Sequence, residues 1–154
     1  MFVGGRAGAG NIHVDFTDSF RQYGMNGNLP DPTVAAYLFT TIGRMLAQAS
    51  EQIGAMSLPL DNAAATYAPL YLDGNIPFPN ISSLSVSADQ SNLTNENAGC
   101  IADAVNTLDH HLSRFSFSAT MNIMREPGIS SSRLFLQRVI PALSSLTYLE
   151  IDSR

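Results

Sequence analysis

The sequence predicts an α+β domain, in which an amphipathic, mostly antiparallel sheet packs on one long helix and two shorter helices. Three segments alternate apolar and polar residues, as strands do when one face is buried and the other is solvated. Three other segments carry apolar residues at a spacing of three or four, which is typical of amphipathic helices. The length of 154 residues is that of a single domain.

The first ten residues are rich in glycine, with Gly4, Gly5, Gly8 and Gly10. This composition favours a flexible arm over a packed element. We therefore divide the chain into an arm at 1–10 and one α+β domain at 11–154.

The three strand candidates lie at 12–17, 83–88 and 115–123. In the first, Ile12, Val14 and Phe16 alternate with polar residues. In the other two, the polar partner is mostly serine. Each segment therefore has an apolar side for the core and a polar side.

The longest helix is predicted to begin at Pro32, because Asp31 can cap free amide groups and proline is well tolerated in the first turn. A second helix is predicted after the capping residue Thr94, and a third begins among the serines at 130–132 and is kinked or split by Pro141. The apolar stripe of the first helix comprises Val34, Leu38, Ile42, Met45, Ala49, Ile53 and Met56.

Residues 57–80 are predicted to form a proline-rich projecting segment, because prolines at this density exclude a helix and a central strand. Asp73-Gly74 resembles a tight hairpin turn within it. The segment also carries Tyr67, Tyr71 and Phe78, which we predict to be interface residues, together with Arg6 of the arm.

The charge composition is unusual, because all eight basic residues are arginine and the chain contains no lysine. The net charge of −5, with arginines scattered along the chain, disfavours strong nucleic-acid binding. No apolar run is long enough for a membrane span, and the N-terminal residues lack signal-peptide character. The sequence gives no cellular location.

Two groups of residues are candidates for a metal site. Asp109-His110-His111 resembles the metal-binding triplet of the phosphoesterases named for it, which implies a metal-dependent hydrolase, but the Asp-x-Asp element of those enzymes does not occur here. His13 and Asp15 project from one face of a strand and could add ligands. The alternative for the two adjacent histidines is a favourable position at a helix C-terminus.

The sequence therefore predicts a non-enzymatic structural subunit of a large assembly, such as a virus capsid, capsid-cementing or shell protein, without catalytic residues, metal or cofactor. Its partners would be copies of itself or another shell protein, and a virion would be its location. Low charge density and interface-like arginine and aromatic residues favour this hypothesis. Two alternatives are a small hydrolase using His13, Asp15, Asp109, His110 and His111, and a regulatory protein-binding module.

Overall fold

Five parallel strands lie side by side in the order in which they occur in the chain, and a sixth, antiparallel strand lies at one edge. The structure is a computed structural model and describes residues 2–5, 10–16, 32–60, 78–88, 94–108, 112–119 and 128–153. The strands are β1 (Phe2–Gly5), β2 (Ile12–Asp15), β3 (Ile53–Pro59), β4 (Ser83–Ala88), β5 (Arg114–Ala119) and β6 (Tyr148–Ser153). The described α-helices are α1 (Pro32–Gln48), α2 (Asn95–Asn106) and α3 (Gly128–Val139).

The predicted antiparallel sheet is wrong. All four pairings from β2 to β6 are parallel, so the fold is an α/β arrangement; β1 with β2 is the antiparallel pair. The alternation of apolar residues with serine led to the error, because it usually marks antiparallel strands with one solvated face, whereas parallel sheets are usually covered on both sides. The order of the elements, strand then helix then strand, points instead to parallel pairing.

The strand order places the helices on one side of the sheet. Every crossover moves to the next strand in the same direction, and parallel crossovers are almost always right-handed, so successive helices fall on the same face. Burial agrees with this arrangement: Leu84, Val86 and Ala88 of β4 are buried, whereas the serines between them are partly exposed. The described strand–helix units, β2 with α1, β4 with α2 and β5 with α3, therefore lie in chain order along the sheet, as repeats do in solenoid proteins.

The helix α1 begins at Pro32 as predicted but ends at Gln48. A 3₁₀ turn at Ser50–Gln52 follows it, so Ile53 and Met56, which the prediction placed on the helix, lie on β3. Both residues are buried in the strand, and their spacing of three therefore matched a helical stripe by coincidence.

The buried side of α1 also differs from the prediction. Phe39, Ile42 and Leu46 are buried, whereas Val34 and Met45 of the predicted stripe are exposed. The buried side therefore shares Ile42 with the predicted stripe and also includes Phe39 and Leu46, which the stripe did not contain.

The second and third helices agree more closely with their predictions from the sequence. Thr94 caps α2, its hydroxyl oxygen accepting a hydrogen bond from the Asn97 amide. The helix α3 ends at Val139, and Pro141 lies in a 3₁₀ turn at Ile140–Ala142. The ring of Phe135 on α3 stacks on Phe117 of β5, with 5.8 Å between the centroids. This contact fixes the helical layer over β5.

Parts of the predicted arm and of the predicted projection lie within the described residues. Phe2–Gly5, within the predicted arm, pairs with β2 along four residues. Pro59, within the predicted projection, is the buried last residue of β3, a strand with neighbours on both sides. Residues 57–60 and 78–80 of that projection are described, and 61–77, including Asp73-Gly74, lies outside the described residues.

Candidate protein-binding surface

The face of the sheet opposite the helices is polar, and we call it the serine face. Because the strands are in register, its side chains form rows across the sheet. The three rows are His13, Ala55, Ser83, Arg114 and Tyr148; Asp15, Ser57, Ser85, Ser116 and Glu150; and Pro59, Ser87, Ser118 and Asp152.

Hydroxyl groups occupy the centre of the serine face, and charged side chains lie toward its ends. Ser85 and Ser116 are partly exposed neighbours in the middle row, between Asp15 on β2 and Glu150 on β6. A merely solvated strand face usually carries interspersed charges, which keep a domain soluble. The centre of this face instead offers short hydroxyl side chains that can donate or accept hydrogen bonds.

The end of the serine face at β6 contains an aromatic and charged cluster. The Arg114 guanidinium lies over the Tyr148 ring, 4.9 Å from its centroid, in a cation–π contact. The Tyr148 hydroxyl donates to Glu150 Oε2 at 3.3 Å. Together with Ser83 and Ser116, these side chains line a cavity of about 230 Å³. The cluster gives this end of the face a preformed, polar concavity.

At the other end, a hydrogen bond of 2.8 Å joins His13 Nε2 to Ser57 Oγ. A serine hydrogen-bonded to a histidine is the pairing that activates a nucleophile in hydrolases. Here, however, Ser57 is buried and its side chain points from the middle of a strand, so access to its hydroxyl is poor. The pair holds β2 to β3 across the serine face.

The structure brings together one pair of the predicted metal-site residues. His13 and Asp15 lie on the same side of β2, as the alternation predicted. Asp109, His110 and His111 lie outside the described residues. Among the residues that the structure does describe, no three histidine, cysteine or acidic side chains are grouped closely enough to hold a metal ion.

Of the four predicted interface residues, one lies in the described chain. Phe78 is buried in the core and is therefore not available to a partner. Arg6, Tyr67 and Tyr71 fall outside the described residues.

The sequence prediction did not find the serine face as a site, although it noted both serine alternations. Each strand alone shows a polar side, but which polar side chains become neighbours depends on the pairing and the register of the strands. The repeated spacing of strand–helix units could have indicated this register.

Comparison of the chain with protein-family models, curated proteins and solved structures finds no match. Within the described part of the chain, none of the helices has the length and apolar character that a membrane crossing requires.

Proposed function

We propose that this chain is a non-enzymatic subunit that acts by binding other proteins, and that its serine face is the binding surface. The observation that carries the proposal is the block of uncharged, partly exposed hydroxyl groups at Ser83, Ser85, Ser87, Ser116 and Ser118 on two paired strands of the sheet. In binding surfaces, serine supplies adaptable hydrogen bonds and tyrosine supplies a rigid contact. Tyr148, beside this block, provides the aromatic part.

The fold supports the same proposal. In solenoid proteins the stacked units create an extended surface, which those proteins use for binding. Here the helices cover one side of the sheet, and the other side carries the aligned polar rows. Both a shell or capsid subunit and a regulatory module are non-enzymatic proteins that bind other proteins. The proposal therefore includes the predicted role in a large assembly.

The test compares two arginine variants in the native source. Ser85→Arg places a long charged side chain in the centre of the serine face, and Met45→Arg places the same side chain on the exposed side of α1. We expect the parent chain and Met45→Arg to elute in a complex larger than the monomer, measured by light scattering coupled to size-exclusion chromatography. Ser85→Arg should fold equally well and elute as a monomer.

Hydrogen exchange on the purified complex locates the contact. We expect β4 and β5 to gain protection relative to the isolated chain. Protection confined to the helices, or a parent chain that is monomeric without a companion, would contradict the proposal. Stoichiometric zinc, manganese or iron that is lost from an Asp109→Ala, His111→Ala variant would favour the hydrolase instead.

A further inference from the structure

The last strand of the described sheet lacks the covering that its neighbour has. Leu149 and Ile151 of β6 point to the same side as Phe115 and Phe117 of β5, their register partners. The two phenylalanines are buried beneath α3, whereas Leu149 and Ile151 are 44% and 54% exposed. The apolar side of β6 is therefore open.

A cavity adjoins this open apolar side. It has a volume of about 510 Å³ and lies between α3, the following 3₁₀ turn and the last two strands. Its walls include Phe117, Leu136, Ile140 and Ile151. This volume falls within the range of roughly 300–1,000 Å³ that is typical of ligand pockets. The cavity can therefore accept apolar side chains from a bound partner.

The backbone of β6 also has one edge along which no described strand lies. Among the described strands, β6 pairs with β5 and has no neighbour on its other side. Such an edge presents amide and carbonyl groups to an incoming strand. Addition of an extended peptide to a sheet edge is an established mode of recognition, in which pockets for alternate side chains give specificity.

The charge of β6 indicates which strand would fit. On the serine face, β6 presents Glu150 and Asp152. A second copy of β6 would bring the same carboxylates toward this edge, and the net charge of −5 opposes self-association further. Basic side chains in the incoming strand would instead complement both carboxylates.

We propose that the open edge of β6 binds an extended segment of a partner protein in which apolar residues alternate with arginine or lysine. The apolar side chains cover Leu149 and Ile151 and enter the adjoining cavity, and the basic side chains face Glu150 and Asp152. This inference goes beyond the serine-face proposal, because it concerns the backbone edge and the apolar side of β6, and the two proposals share Glu150 and Asp152 at the border of the serine face.

The first experiment measures fluorescence anisotropy of a labelled, end-capped peptide that alternates valine with arginine. Two control peptides alternate valine with glutamate, or carry the same valines and arginines in two blocks. We expect the alternating basic peptide to bind the parent chain at least tenfold more tightly than either control. Equal binding of the three peptides would overturn the proposal.

Variants of the chain then assign the contact. Glu150→Lys should weaken binding of the basic peptide about tenfold, whereas Glu51→Lys makes the same charge change at an exposed position in the turn before β3 and should leave binding unchanged. Ile151→Asp should abolish binding. Circular dichroism confirms that each variant is folded, and unchanged binding by either β6 variant would overturn the proposal.

Backbone pairing is tested on the peptide itself. Methylation of the amide nitrogens along one edge of the peptide should block binding, and methylation along the other edge should not. Equal effects from the two edges would contradict strand addition. Dimerisation of the parent chain that Ile151→Asp removes would show that a second copy is the occupant instead.

The experiments can contradict either of the two proposals without contradicting the other. Ser85→Arg lies two strands from β6 and should retain full peptide binding. Peptide binding without a partner on the serine face would therefore support the β6 inference and contradict the serine-face proposal. A partner on the serine face without peptide binding would support the serine-face proposal and contradict the β6 inference.

Discussion

The hydroxyl of Thr147 donates a hydrogen bond of 3.0 Å to the backbone carbonyl oxygen of Ser113. The Ser113 hydroxyl donates in the same way to the Ser82 carbonyl at 3.2 Å, and the Ser82 hydroxyl to the Gly54 carbonyl at 3.3 Å. Each of the three donors directly precedes its strand, and we call them the hydroxyl ladder. The ladder ties β4, β5 and β6 each to the strand before it.

We predict that removal of a ladder hydroxyl destabilises the fold modestly. Thr147→Val and Ser113→Ala should each lower the free energy of unfolding by about 1 kcal/mol, the usual net value of one hydrogen bond. The backbone amides that bond to the same carbonyls remain in both variants. Urea denaturation followed by circular dichroism measures the effect. Unchanged midpoints in both variants would show that the hydroxyl ladder adds nothing to the backbone bonds.

The pairing of His13 with Ser57 leads to a second prediction, because we interpret it as structural. A fluorophosphonate probe, which labels activated serines, should not label Ser57. Ser57→Ala should instead lower the free energy of unfolding by about 1 kcal/mol through loss of the hydrogen bond. Labelling that disappears in both Ser57→Ala and His13→Ala would establish a nucleophile and contradict a non-enzymatic role.

A third prediction separates the two sides of α1. Ile42→Asp buries an unpaired charge in the core and should abolish cooperative unfolding, because the cost approaches the whole stability of a small domain. Met45→Asp adds the same group on the exposed side and should change the stability by no more than about 0.5 kcal/mol. Thermal melting of the two variants measures this difference in stability. Similar melting temperatures would show that the buried side of α1 is assigned incorrectly.

The sequence predicts local elements of this fold better than their pairing. The strands β2, β4 and β5 and the cap at Thr94 follow from alternation and from side-chain chemistry within a few residues. The direction of pairing depends on the connections between strands, which no single strand encodes. The strand β6 was missed, although Leu149 and Ile151 alternate with polar residues as the earlier strands do.

The candidate surface was less predictable, because it depends on register. Ser85 and Ser116 are far apart in the chain and are neighbours because of the parallel register in which β4 and β5 pair. In the predicted antiparallel sheet, the same serines would meet different partners. Recognition of the surface therefore required the topology, whereas recognition of its serines did not.

The close approach of Gly54 and Gly10 leads to the last prediction. Gly10 has a φ of +70°, and its amide donates to the Glu51 carbonyl at 3.2 Å. A Cβ atom at Gly54 would overlap the Gly10 carbonyl group, which is backbone and cannot rotate away as a side chain does. Gly54→Ala should therefore separate the segment before β2 from β3 and lower the free energy of unfolding by about 3 kcal/mol or more.

Gly99→Ala is the matched control for this variant, because a Cβ at that position would lie 3.0 Å from Arg138 Nη1, the end of a flexible side chain. Gly99 also lies inside α2, where alanine is favoured over glycine by about 1 kcal/mol. We expect Gly99→Ala to be neutral or stabilising in urea denaturation, and Gly54→Ala to unfold at a much lower urea concentration. If the two variants unfold at the same midpoint, the contact between Gly54 and Gly10 does not hold β2 against β3.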